Sequence, residues 1–99
     1  MTDCPEAFER DTGGTEAEWL RTLPGACGRH PLSLPGPGRA IVAIEPGRLC
    51  LHWEVLPPRR IALISLPRMR VVYRFEGVGA AQRAAFMRSF DLHLQRGGG

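Results

Sequence analysis

The chain has 99 residues, thirteen of them basic and ten acidic, a net charge of +3 and an apolar share of 43%. That is one domain's worth of chain with apolar residues for a single modest core, and it excludes wholesale disorder. No apolar run approaches the ~20 residues needed to span a bilayer, and "MTDCPEAFERD" lacks the basic-then-apolar order of a secretory signal, so the expectation is a cytoplasmic protein with no membrane partner.

All thirteen basic residues are arginine. With Ala, Gly and Pro also abundant, this reads as base-composition bias, and the arginine count alone is no evidence of function. The distribution of charge says more. Residues 1–18 hold six acids against Arg10, whereas the other twelve arginines face only Glu45, Glu54, Glu76 and Asp91. The three cysteines, Cys4, Cys27 and Cys50, form no Cys-x-x-Cys pair. An odd count without that spacing argues against a disulfide scaffold and suits a reducing compartment.

In chain order, residues 1–13 carry polar residues, a proline and a glycine before any periodic pattern, and read as a flexible segment ahead of a single domain over 14–96. "TEAEWLRTLPG" reads as a short helix. Thr15 and Glu18 have the spacing of a capping box, Trp19, Leu20 and Leu23 give an apolar edge, and Pro24-Gly25 ends it. Residues 25–38, dense in Gly and Pro, read as an irregular linker.

From Arg39 the period changes to that of strands. "RAIVAIE" and "RLCLHWEVL" flank Pro46-Gly47, a turn pair. With Glu45 opposite Arg48, Ala40, Val42 and Ile44 share a face with Leu49, Leu51, Trp53 and Val55. "RRIALISL" follows Pro57-Pro58, and "RMRVVYRFE" follows Pro67. Pairing Leu66 with Met69 places Ala62, Ile64 and Leu66 beside Met69, Val71, Tyr73 and Phe75, with the arginines on the other face. Gly79 to Arg96 reads as a helix whose Phe86, Met87, Phe90 and Leu94 lie on one side, and 97–99 as a Gly tail. The expected fold is α+β: a four-stranded antiparallel β-meander with the C-terminal helix packed on one face, preceded by a short N-terminal helix.

One long helix can cover one face of such a sheet. The register above gathers Ile61, Leu63, Arg70, Val72 and Arg74, with Ile41, on the face it leaves open, an apolar centre among charges. The N-terminal helix, a second copy or another protein could cover it. These five residues are the candidate partner-binding set, and a non-enzymatic module acting through protein contacts is the leading reading. The alternative is weak, sequence-blind binding of nucleic acid by the arginines. It is the weaker reading because single-strand binders stack bases on exposed aromatics, and Trp53, Tyr73 and Phe75 fall on the helix side.

Two further constellations gather chemistry-bearing side chains. Cys50, His52 and Glu54 stand at i, i+2 and i+4 on one strand face, where same-face neighbours lie ~7 Å apart, too far for a thiolate–imidazolium pair. Cys27, His30, Cys50 and His52 have the ligand types of a zinc site but no finger spacing. There is no phosphate loop, dinucleotide fingerprint or nucleophile elbow, so no catalytic, metal or cofactor-binding residue is expected. No motif attaches the chain to a characterised family, and its patterning looks like that of a small bacterial protein.

Overall fold

The computed structural model describes residues 4–97 as an antiparallel sheet with two helices. Its elements are β1 (Ala7–Gly13), α1 (Glu16–Cys27), β2 (Leu32–Gly36), β3 (Arg39–Ile44), β4 (Gly47–Ile61), β5 (Ile64–Glu76) and α2 (Ala80–Gly97). The sheet order is β1-β5-β4-β3-β2. β2 to β5 form a meander, and β1 is added at the β5 edge. The fold class is therefore as expected, but the sheet has five strands, not four, and they are partly different ones.

The first correction is at the N-terminus. Residues 7–13 form strand β1, not a flexible lead, and pair with β5 from Ala7–Arg74 to Gly13–Arg68. Its hold on the body is aromatic and ionic. The Phe8 ring stacks on Tyr73 with centroids 4.7 Å apart, and the Arg10 guanidinium lies over both rings while donating to both carboxylate oxygens of Asp91 on α2. Residues 1–3, the start of the expected flexible segment, lie outside the described residues, as do Gly98 and Gly99 of the expected tail.

α1 opens on the capping box read from the sequence. The Glu18 backbone N–H donates to Thr15 Oγ1 at 3.2 Å, and the Thr15 N–H donates to Glu18 Oε1 at 2.8 Å. The helix does not end at Pro24; it continues to Cys27 and closes at Gly28, whose φ of 62° is left-handed. Of the expected linker 25–38, residues 25–27 belong to α1, and only 28–31 and the turn at 37–38 lie outside regular elements. The rest supplies the edge strand β2, paired Leu32–Val42 and Ser33–Ile41 with β3.

The β3–β4 hairpin keeps the predicted faces but slides by two residues, pairing Ile44 with Gly47 and Ala43 with Arg48. A shift of two preserves side-chain parity. Gly47 is required there, because a Cβ would fall 2.0 Å from the Glu76 carbonyl oxygen.

The larger correction concerns the last two predicted strands. No turn occurs at Pro67. β4 runs through Pro57-Pro58 to Ile61, and β5 runs from Ile64 through Pro67 to Glu76, with the reversal at Ala62-Leu63. The prolines sit at a register shift between Leu56 and Arg59, a bulge where ladder donors are missing. Arg68 Nε donates to the Pro57 carbonyl across it, and the Pro67 carbonyl accepts from the Gly14 N–H.

Both helices lie on the aromatic face. Trp19, Leu23, Trp53, Tyr73, Phe75, Phe86 and Phe90 are all buried there. Trp19 of α1 meets Trp53 and Phe90 edge-on, and the Trp53 indole N–H donates to Glu16 at 2.8 Å. The N-terminal helix thus packs beside α2 and leaves the second face open.

Candidate interaction face

Strand alternation sends one set of side chains from β4 and β5 into this core and the other outward. Across the outward face, Arg70 stands opposite Glu54, Val72 opposite His52, and Arg74 opposite Cys50. On β3, Arg39 adjoins His52, and Ile41 adjoins Cys50; on β1, Glu9 adjoins Val72 and Asp11 adjoins Arg70.

Three arginines of this face are held in ion pairs. Arg70 pairs with Glu54, Arg68 with Asp11 at 2.7 Å, and Arg48 with Glu76 at 3.0 Å. These are exposed cross-strand pairs, each worth at most about 1 kcal/mol. Among the described residues Arg39, Arg59, Arg60 and Arg74 have no carboxylate within ion-pairing distance. Arg39 and Arg74 rim a shallow depression of about 480 Å³, floored by Ile41, Cys50 and Val72.

Beyond the Leu56–Arg68 pairing neither β1 nor β3 continues. β4 and β5 go on alone as a two-stranded arm. Five large apolar side chains are exposed along it and at its base: Val55, Ile61, Leu63, Ile64 and Leu66, with Leu63 fully so. The pairings Ile61–Ile64 and Arg59–Leu66, read with the alternation from Arg68, put Ile61, Ile64 and Leu66 on the outward side.

The structure thus places the five predicted partner-binding residues at two sites rather than one. Arg70, Val72 and Arg74 are on the sheet body. Ile61 and Leu63 are at the arm's end, and the pairings of Val72 with Leu63 and Arg74 with Ile61 do not form. The predicted turn at Pro67 reversed the parity of residues 59–66, which also hid Ile64 and Leu66 from the sequence reading. The alternation of β5, continued back from Arg68 through Pro67, places both on the outward side.

The other constellations separate. Cys27 is buried at the C-terminal end of α1, and the His30 ring lies 5.3 Å from the Phe86 ring on the helix side, whereas Cys50 and His52 point outward. The sheet stands between the two pairs, so they cannot share a metal. No cluster of three metal-ligating side chains occurs among the described residues. Glu54 is engaged by Arg70 rather than by His52. Burial, with Glu76 nearby, pushes the Cys50 thiol above its usual range against the opposing pull of Arg48 and Arg74, the wrong direction for a nucleophile.

The face and its arm define a two-layer α+β protein with one open, arginine-bearing sheet surface. No family model matches the chain. It is similar to a phosphatidylserine decarboxylase proenzyme of Mycobacteroides abscessus, 33% identical over 92 residues, a match covering 84% of this chain and 33% of that protein. The chain spans about a third of the length of this curated relative. No helix among the described residues is long and apolar enough to cross a membrane.

Proposed function

We propose that the protein is a non-enzymatic binding module that engages a protein partner through the outward sheet face and its arm. The observation that carries this reading is the arm itself. Ile61, Leu63, Ile64 and Leu66 are exposed on a hairpin that neither α1 nor α2 covers. Grouped apolar side chains rimmed by charge are the ordinary mark of a protein contact.

The likeness to a decarboxylase proenzyme is the argument for an enzyme. Against it, the match spans a third of that relative, and Cys50, His52 and Glu54 are not arranged to act on one another. The unpaired Arg39, Arg59, Arg60 and Arg74 support the second reading, a weak and sequence-blind hold on nucleic acid phosphates. Against that, Trp53, Tyr73 and Phe75 are buried on the helix side and offer the outward face no stacking platform.

The test is photo-crosslinking in cells, with a benzophenone amino acid replacing Leu63 and, as control, Arg88 on the exposed side of α2. Protein adducts from position 63 and few from position 88 support the reading. Adducts to nucleic acid or lipid alone, or equal labelling at both positions, overturn it.

A further inference from the structure

The hollow on the outward face carries positive charge that the fold does not balance. None of the residues that line it is acidic. Elsewhere on this face Arg48 has Glu76, Arg68 has Asp11 and Arg70 has Glu54. Arg39 and Arg74 have no carboxylate within ion-pairing distance among the described residues. Glu9 stands beside Val72 on the β1 side, but it lines a separate cleft with Glu54 and Arg70. Two free guanidinium groups therefore flank a half-buried apolar floor of Ile41 and Val72.

We infer that the partner seats an acidic segment in this hollow, with one carboxylate on Arg39, another on Arg74 and an apolar side chain on the floor between them. Resting on the binding-module reading above, this supplies the partner's chemistry. Spacing favours an extended segment. Arg39 and Arg74 stand two strands and two residues apart, about 12 Å between Cα atoms at ~4.8 Å per strand and ~3.4 Å per residue. Residues i and i+4 of an extended chain lie about 14 Å apart on one face, with i+2 between them. The order acid-x-apolar-x-acid therefore matches the seat. Each guanidinium can donate two parallel N–H bonds to a carboxylate, which adds direction to charge. Other occupants fit less well. A small ligand would stay largely in water in so shallow a depression, whereas small-molecule sites enclose most of their ligand. A nucleic acid strand would find no aromatic to stack on and no use for the apolar floor. A second copy would present this same face, on which Asp11, Glu54 and Glu76 are already paired.

The probe is the blocked peptide acetyl-Glu-Thr-Leu-Thr-Glu-amide, titrated into the full chain and followed by NMR. Shifts are expected at the amides of Ile41, Cys50 and Val72 and at the side chains of Arg39 and Arg74. Replacing both glutamates of the peptide by glutamine should abolish them. Arg39→Gln with Arg74→Gln, both at exposed positions, is expected to leave the circular dichroism unchanged and weaken the peptide by about tenfold or more. Arg59→Gln with Arg60→Gln removes the same charge from the arm and should change binding by less than about twofold. Equal losses in the two double variants would reduce the contact to net charge and overturn the inference. Inorganic phosphate or a single-stranded oligonucleotide that shifts the same residues at lower concentration than the peptide also overturns it. So does a wild-type dimer in light scattering that the Arg39, Arg74 double variant breaks. Protein crosslinks from position 63, with a hollow that the peptide leaves unshifted, would leave the binding-module reading standing and this one refuted.

Discussion

Phe90 and Arg88 lie two residues apart on α2 and should differ sharply in what they support. Phe90 is fully buried and touches Trp19, Tyr73 and Phe86 with its ring. Phe90→Ala is expected to cost about 3–5 kcal/mol in urea unfolding, as for other large aromatic truncations. Arg88→Ala, on the exposed side, should change stability by less than about 0.5 kcal/mol. Helical periodicity alone sufficed to tell these residues apart, because α2 packs on a single surface. Cys27 gives a residue-scale prediction in pH. Burial raises its thiol from 9.0 to about 11. The unfolded chain then releases this proton before the folded one does, so the folded form is disfavoured as pH rises through that window. Stability from this source is complete below about pH 9 and declines toward pH 11. Thermal unfolding of Cys27→Val should show a smaller loss between pH 8 and 10.5 than the wild type does, once each is referred to its own value at pH 7. An identical loss in both would place the alkaline sensitivity elsewhere, with Tyr73, raised to about 12 by burial, as the next group.

Local chemistry made some elements legible and misplaced others. The α1 start could be read because a capping box is a short-range pattern, satisfied by Thr15 and Glu18 alone. Thr15→Ala should destabilise by about 1 kcal/mol, measured by chemical denaturation. The hairpin reversal was not legible. Ala62-Leu63 is neither Asn-Gly nor any other favoured pair, while Pro57, Pro58 and Pro67 advertise breaks that the strands pass through as a bulge. What the sequence does not display is that Arg68 and Gly14 supply donors to the proline carbonyls there, so the ladder survives the interruption. Ala62 adopts a φ of 54°, a left-handed conformation that costs an L-residue roughly 1–2 kcal/mol. Ala62→Gly relieves it at the price of a freer unfolded chain. The expected net gain is about 0.5 kcal/mol, with slower amide exchange at Ile61 and Ile64 as the local readout. Faster exchange there would mean that the reversal does not sit at Ala62.

At the scale of the whole molecule, the sheet's width is decided by contacts far apart in sequence, and these were the least visible in the chain. Residues 7–13 alternate weakly and are rich in charge, so their period is poor evidence for a strand. Their place is set instead by one aromatic and one arginine. Phe8 lies flat on Tyr73, and Arg10 covers both rings on its way to Asp91. The Arg10–Asp91 pair is exposed enough to contribute little alone, but the stacked rings contribute beyond their buried area. β1 also covers the edge of β5 from Arg68 to Arg74, which would otherwise be open beside the aromatic core. The acidic character of the first eighteen residues therefore has a structural use: Asp11 neutralises Arg68 at the foot of the arm. Deleting residues 1–13 separates the two descriptions of this segment. A flexible lead could be removed with a change below about 0.5 kcal/mol. A fifth strand cannot. Truncation should cost at least about 3 kcal/mol in urea unfolding, the lower end of losses for a large aromatic side chain, and should expose Tyr73 to solvent. Phe8→Ala in the full-length chain isolates the aromatic share. If the truncated chain unfolds at the same urea concentration as the intact one, β1 is not part of the cooperative fold.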